Sequence, residues 1–491
     1  MRPAKHNYGE AVMGKAINFY LAGSLAVASL FAGPAVAQDV TAAADGAFEV
    51  QTVAEDLDFP WSIAFLPDGD MLVTELSGQL RLIDDGTLVE TVIGGTPKVL
   101  YAGQGGLSDV VLHPDFATNK LVYLTYSAAR DEGNTLVVGR GTFTGSAVEN
   151  FEVIFEADAY RKTIVHYGAR MAFLNDGTFI LTSGDGFDYR EQAQITSNDF
   201  GSTIRLNDDG SIPADNPFVG DDAARDEIYS YGHRNPQAIL QDAASGVIYA
   251  NEHGPQGGDE INVIEPGNNY GWPIATYGVD YTGAYVSPLK SYPNATQPLL
   301  YWVPSIAPSG MTLVTGNAFA DWNGDLLVTA LAPGNVSEFA NRNMRRVILE
   351  DGAVAGQEAI RVVASGTPED ETPRLRDVRM APDGSIYVLT DGEGGKVLRL
   401  IPAGGMPQAA VTSESAVTEE AAAETEPGIV EKLGGKAAAI VEDAGTAIGD
   451  AAEEAVDAAE DVAEDISDAV SDMADEAAAE MDEALDSEPV K

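Results

Sequence analysis

Residues 172–185 read AFLNDGTFILTSGD and residues 64–75 read AFLPDGDMLVTE: an apolar pair, a tight Asn-Asp-Gly or Pro-Asp-Gly turn, then a short alternating strand. The same phrase returns as VLHPDFATNKLVYLTYS from Val111, LQDAASGVIYANEHG from Leu240, AFADWNGDLLVTALA from Ala318 and MAPDGSIYVLTDGE from Met380, which makes six copies. Most copies are followed by a second strand ending in a turn, as in GQLRLIDDG from Gly78, TIRLNDDG from Thr203, EINVIEPG from Glu260, RRVILEDG from Arg345 and KVLRLIPAG from Lys396. Strand pairs joined by tight turns and repeated every 50 to 80 residues or so predict the blades of a closed ring, since solenoid repeats are shorter and more uniform. The fold expected is all-β, a six-bladed β-propeller over residues 48–403. Closure also removes the exposed edges that so many strands would otherwise present. The early strand FEVQTVAEDL is expected to complete the last blade.

The flanks have another character. Residues 1–37 carry Arg2, Lys5 and Lys15, then the apolar run INFYLAGSLAVASLFAG, then Ala35-Val36-Ala37, the layout of a cleavable secretory signal. The run is short for a membrane span and ends in small residues with Pro34, so a periplasmic or secreted protein with no span after cleavage is expected. Residues 406–491 form an Ala/Glu/Asp-rich acidic tail, helical or disordered, in which Val462, Ile466, Val470 and Met473 make a thin stripe suited to a protein partner. The chain has no cysteine, which excludes disulfides and thiolate chemistry and leaves stability to the core and to any bound metal. A formal charge of -49, with 28 Lys and Arg in all, argues against nucleic acid or anionic lipid as a partner.

Propeller ligands meet loops at one end of the channel, so the polar residues just outside the repeated strands are the site candidates. Gly103-Gln104-Gly105-Gly106 brings backbone close around one amide side chain. His166, immediately before a strand and followed by Arg170, suits a general base. From Gly232 to Pro273 the chain packs His233, Arg234, Asn235, Glu252, His253, Asp259 and Glu260 among glycines and prolines. There Gly254-Pro255 carbonyls and the Asp259-Glu260 carboxylates offer hard oxygen ligands for Ca²⁺, and Glu252 and His253 are available as a hydrogen-bonded pair. Arg374 and Arg376, two positions apart on a strand, face the same way and require an anion or carboxylates between them.

Taken together these segments resemble the soluble pyrroloquinoline quinone (PQQ) dependent sugar dehydrogenases, the glucose/sorbosone dehydrogenase family, and its aldose branch more than the glucose enzyme. The resemblance runs from about Val53 to Pro402 through GQGGL at Gly103, HPDFATN at His113, HYGAR at His166, LNDDGSIPADNPF at Leu206, EIYSYGHRNPQ at Glu227, EHGPQGGDEIN at Glu252, NYGWP at Asn269, YWVPSIAPSGM at Tyr301 and RLRDVRMAPDG at Arg374. It implies a six-bladed propeller with His166 as the base that takes the sugar C1 hydroxyl proton while hydride passes to PQQ. It further implies that Gln104, Arg234, Asn235, Arg374 and Arg376 bind cofactor, that Gly254 and Pro255 carbonyls hold a catalytic Ca²⁺, and that Glu260 and Tyr270 hold a structural one. An aldose sugar as substrate and an external electron acceptor follow from the same resemblance.

Three departures stand out. Ala332, in TALAPGNVSE, occupies the place of a family lysine; Val165 precedes His166 where the glucose enzyme has an aspartate; and GAR replaces GGR. The first removes a cationic partner for an anionic cofactor, and the second removes a group able to orient the base. Two other functions share this fold: a calcium-stabilised propeller that binds a glycan or protein without catalysis, and a propeller lactonase. No GxGxxG follows a strand and opens a helix, so no nicotinamide or flavin reading arises.

Overall fold

The repeated Asn/Pro-Asp-Gly phrase is a hairpin in the computed structural model, which describes residues 40–42, 47–332, 343–364, 367–368 and 371–406. In the first copy Leu66 N–H donates to the Asp70 carbonyl and Gly69 N–H to the Leu66 carbonyl, with Gly69 at φ +99°. The glycine supplies a backbone conformation that side-chain-bearing residues rarely adopt. The same pattern recurs around Gly177 and Gly384. The N-terminal leader and the tail beyond Met406 lie outside the described residues.

Each hairpin joins the first two strands of a four-stranded antiparallel sheet, and there are six such sheets. Their first strands, Pro60–Phe65, Leu107–Leu112, Gly168–Phe173, Pro236–Gln241, Pro308–Leu313 and Leu375–Met380, pack side by side in a closed ring around the axis. The ring is closed as the sequence suggested: Phe48–Asp58 adds antiparallel to Glu393–Pro402 as the outer strand of the sixth blade. The fifth sheet carries a further parallel strand, Val40–Ala42. Apolar residues fall into six clusters, one at each interface between neighbouring blades, such as Leu174, Ile180, Ile239, Ile248, Ala250 and Ile264 between blades three and four. Helix is confined, among the described residues, to Phe116–Asn119 and two 3-10 turns, and no helix is long and apolar enough to cross a membrane.

One irregularity places the site. In all six blades the register slips within the first residues of the innermost strand, between Pro60 and Ser62, Leu107 and Val110, Gly168 and Met171, Pro236 and Ala238, Pro308 and Met311, and Leu375 and Asp377. A bulge bends the strand and re-aims its side chains, here toward the axis at one end of the channel. Deeper in, the fully buried Arg170 lies across that axis. Its Nη1 sits 3.3 Å from both Asp109 Oδ1 and Asp377 Oδ2, its Nε donates to the Gln237 carbonyl, and its guanidinium covers Trp61 at 4.1 Å. Five inner strands thereby meet at one side chain, and the bulged ends line a cavity above it.

Candidate active site

The cavity encloses about 350 Å³ and is lined by Trp61, Gln104, Gln237, His253, Ala332, Arg374, Arg376 and Asp391, among others. Its volume falls at the small end of ordinary ligand sites. Arg374 Nε donates to Asp391 Oδ2 at 2.9 Å, while Arg376 Nε and Nη2 donate to Asp391 Oδ1 at 3.1 and 2.9 Å. Two guanidiniums thus share one carboxylate, which leaves this wall with an excess positive charge. Ala332 lines the same cavity, so the lysine position is apolar here.

His166 sits at the entry to the inner strand of blade three, 5 % exposed and at φ +57°. Both sides of its main chain are held: its N–H donates to Gln104 Oε1 at 2.8 Å, and its carbonyl accepts from Arg161 Nη1 at 2.6 Å. Gln104 is in turn fixed by its own N–H to the Ile164 carbonyl, and Gly103 at φ +61° has no room for a side chain, since a Cβ would fall 2.4 Å from that carbonyl. The imidazole Nδ1 lies 2.7 Å from Asp185 Oδ1, and among the described residues no hydrogen bond engages Nε2. Burial lowers the His166 pKa, with Arg234 and Arg161 adding to the effect and Asp185 opposing it. Burial alone would raise the Asp185 carboxyl, yet the hydrogen bond and charge of His166, then Arg234, bring it below the usual carboxylate range.

This corrects one expectation. Loss of the aspartate at Val165 suggested an unoriented base, but Asp185 orients it from the end of the AFLNDGTFILTSGD repeat. Asp185 also accepts from Trp272 Nε1 and Phe187 N–H, each at 2.8 Å, so its own position is fixed. The arrangement holds a proton on Nδ1 and leaves Nε2 free to accept one, which is what a general base requires.

Arg234 and Asn235 approach from blade four. Arg234 Nη1 donates to the Gly254 carbonyl at 2.7 Å and the His253 carbonyl at 3.2 Å, and its guanidinium packs 5.3 Å from the Trp272 ring. The fully buried Asn235 accepts through Oδ1 from Gly168 N–H and Gln237 Nε2, while its Nδ2 has no hydrogen-bond partner. An orphaned donor of this kind, beside an arginine-rich cavity, fits an anionic, carbonyl-bearing cofactor.

The candidate metal ligands divide. Asp259 is not available: its two oxygens accept from Gly254 N–H, Ser305 Oγ, Ile306 N–H and Ala307 N–H. Burial raises it to about 6, and its role is to tie the loop down. Glu252 does not pair with His253 either. Glu252 accepts from Arg234 N–H at 2.6 Å and lies 2.9 Å from His233 Nδ1, whereas His253 Nε2 turns to the Pro308 carbonyl at 2.7 Å. The strand Ile248–Glu252 ends at Glu252, and His253 begins the loop that turns toward blade five, so the adjacent pair separates.

Glu252 and Glu260 instead line a second, small cavity of about 10 Å³ with Gly254, Tyr270 and Thr276. Asn262 Nδ2 bridges the two carboxylates at 2.9 and 3.3 Å, and its Oδ1 has no partner. Burial and the neighbouring Glu252 push the Glu260 pKa well up. Two carboxylates lining a space of one ion, joined by an amide whose own oxygen is unpaired, fit a hard cation. Tyr270 contributes no hydroxyl, which is committed to the Val263 carbonyl and Glu265 N–H, so only its main-chain carbonyl is left for a cation. Among the described residues no group of three or more His, Cys, Asp or Glu side chains gathers, so any cation here relies on carbonyl and amide oxygens as well.

Ser230, His233 and Glu252 also stand in the order of a hydrolytic triad, with Ser230 Oγ 2.9 Å from His233 Nε2. Ser230 and His233 have no exposed surface, whereas His166 keeps 5 %. Without access the trio is a structural relay.

A propeller with a positively lined cavity and an oriented histidine belongs with oxidoreductases that bind an anionic quinone better than with hydrolases. Comparison with known proteins gives the family. Residues 57–399 match the family described as Glucose / Sorbosone dehydrogenase, and the chain belongs to it. It is 38% identical over 366 residues to the aldose sugar dehydrogenase YliI of Escherichia coli, covering 73% of this chain and 94% of that one. It is 26% identical over 434 residues to quinoprotein glucose dehydrogenase B of Acinetobacter calcoaceticus, covering 71% and 86%. The PQQ-bound form of an aldose sugar dehydrogenase from Streptomyces coelicolor superposes with a TM-score of 0.57 at 27% identity, covering 73% and 99%. The chain is therefore an enzyme of the sugar dehydrogenase class.

Proposed function

We propose that the chain, after export, oxidises aldose sugars at C1 to the lactone with PQQ and Ca²⁺ and hands the electrons to an external acceptor. The observation that carries this reading is the buried His166–Asp185 pair, whose neighbours Gln104, Tyr167 and Gly168 line the cavity in which Arg374 and Arg376 share the Asp391 carboxylate. Export rests on the N-terminal sequence pattern alone.

The residues divide the work. Nε2 of His166 takes the C1 hydroxyl proton; Asp185, hydrogen-bonded at Nδ1, stabilises the imidazolium that results. The C1–H bond breaks as hydride, and the C1–O bond becomes the lactone carbonyl. Arg374 and Arg376 would hold the anionic groups of the cofactor, and Arg234, Asn235 and Gln104 would help to bind and orient it. When bound, PQQ supplies a two-electron acceptor, and Ca²⁺ polarises it as a Lewis acid. Gly254 and Pro255 carbonyls would hold the Ca²⁺; the Gly254 carbonyl already accepts from Arg234 Nη1 through one of its two lone pairs. Glu252, Glu260, Asn262 and the Tyr270 carbonyl would hold a second, structural Ca²⁺.

The test is calorimetry of the purified chain with PQQ in the presence of Ca²⁺, followed by product analysis on a panel of aldoses. Saturable binding and lactone formation support the reading. Calcium binding without PQQ binding would point to Ala332 as the reason and favour a non-catalytic propeller. Lactone opening without cofactor would favour the hydrolase.

A further inference from the structure

Arg161 is fully buried, and among the described residues no carboxylate lies within ion-pair distance of its guanidinium. Its Nη2 has no hydrogen-bond partner. What surrounds it is two aromatic faces, Tyr167 and Phe200, each 5.0 Å from the guanidinium carbon, and two carbonyls. Nε donates to the Ala159 carbonyl at 3.0 Å and Nη1 to the His166 carbonyl at 2.6 Å. Its own main chain is pinned to Asn134 by N–H and carbonyl bonds of 2.9 Å each. A buried cation without a contacting counter-ion is unfavourable, and the cation–π contacts and the more distant Asp185 charge recover only part of the loss.

The beneficiary is His166. At φ +57° it holds a left-handed backbone conformation that non-glycine residues seldom adopt, and its main chain is gripped by Gln104 on one side and Arg161 on the other. The groups that face its ring are Asp185 on the anionic side, Arg234 and Arg161 on the cationic side, and the buried His253.

We propose that Arg161 is a positioning residue for the sugar oxidation: it clamps the main chain of His166 and sets a fixed positive charge behind that residue. The inference rests on the reading of His166 as the base. Arg161 falls to about 10 through burial and so remains charged at neutral pH. It adds to the lowering that burial gives His166.

The test is histidine-selective carbon-13 NMR on the full chain without added cofactor, comparing the wild type with Arg161→Gln and Arg161→Lys. The His166 signal is assigned by its loss in His166→Asn. Glutamine keeps a donor for the carbonyl and drops the charge; lysine keeps the charge and drops the planar fork. The His166 midpoint is expected to rise by about one pH unit in Arg161→Gln and to hold within about 0.3 unit in Arg161→Lys. With cofactor and sugar, the acidic limb of kcat/KM moves up with the midpoint in the glutamine variant. The lysine variant keeps the limb and loses kcat about tenfold, the cost of a loosened base. An unchanged midpoint in folded Arg161→Gln, or equal shifts in both variants, overturns the charge role. Wild-type kcat in Arg161→Lys overturns the clamp, and that variant decides alone if the glutamine variant does not fold. Because the midpoint is read without cofactor, a shift as expected in a protein that oxidises no sugar would refute the base and not the electrostatics.

Discussion

Replacing Asp185 by asparagine removes one charge and almost no volume, and the consequences can be worked through atom by atom. Asp185 Oδ1 meets His166 Nδ1 and Phe187 N–H, while Oδ2 meets Trp272 Nε1. Asparagine has one acceptor oxygen where three donors converge. If that oxygen faces His166, the amide NH₂ opposes the indole N–H, and a buried donor loses its partner at a cost of about 1–3 kcal/mol. If the amide is reversed, Nδ1 must become the acceptor, the proton moves to Nε2, and the imidazole is the wrong tautomer for a base. Either way kcat is expected to fall by about 10²–10³, within the range that general-base catalysis contributes. The pH dependence carries a sign. Asp185 opposes the lowering of the His166 pKa by burial, Arg234 and Arg161. Without it His166 titrates lower still, so the acidic limb of kcat/KM, already below about 6.5 in the wild type, moves further down. Steady-state rates from pH 4 to 9 with saturating cofactor measure both effects. A rate within about threefold of wild type, or a limb that moves up, would refute the orienting role.

Asp199 is fully buried and raised to about 7, chiefly by burial and then by Glu227. Its folded pKa lies above the unfolded value, so its contribution to stability is present in acid and lost as pH rises toward 7. Asp199→Asn should therefore stabilise the protein at pH 8 relative to pH 4 by about 4 kcal/mol, read from denaturant melts; a slope unchanged from wild type contradicts this. Gly103→Ala places a Cβ 2.4 Å from the Ile164 carbonyl at φ +61°. It should cost about 2–3 kcal/mol and displace Gln104, so a variant with unchanged melting and activity counts against the account of this loop. Calcium at about 100 times its dissociation constant should raise the wild-type melting temperature by roughly 2–4 °C and leave Glu260→Gln unmoved. An equal rise in both would place the ion elsewhere.

The ring of blades was legible because its turns are chemically narrow. Only glycine suits the positive φ at Gly69, Gly177 and Gly384, so the hairpins announce themselves at a fixed offset from each strand. Closure by Phe48–Asp58 was legible for a related reason, since an unpaired alternating strand before the first repeat needs a sheet to join. His166 and Gln104 came from local motifs and are joined by a hydrogen bond of 2.8 Å. Asp185 was missed because nothing in its sequence neighbourhood separates it from the chain's many other acids; only the bulge and the hairpin bring it beneath the imidazole, 19 residues away. Arg161 was missed for the opposite reason: its partners are carbonyls and rings, which carry no charge pattern. Glu252 and His253 were read as a pair from adjacency, but the strand ends between them and the loop carries His253 to the Pro308 carbonyl.

The account turns on a proton leaving the sugar to His166 as hydride leaves C1. The most direct measurement is single-turnover reduction of PQQ on the Ca²⁺-loaded chain, followed by absorbance after mixing with an aldose carrying deuterium at C1. The account predicts a primary isotope effect, and a loss of rate of about 10² or more in His166→Gln with cofactor affinity unchanged. Equal rates for the two proteins, or no isotope effect in either, would contradict it.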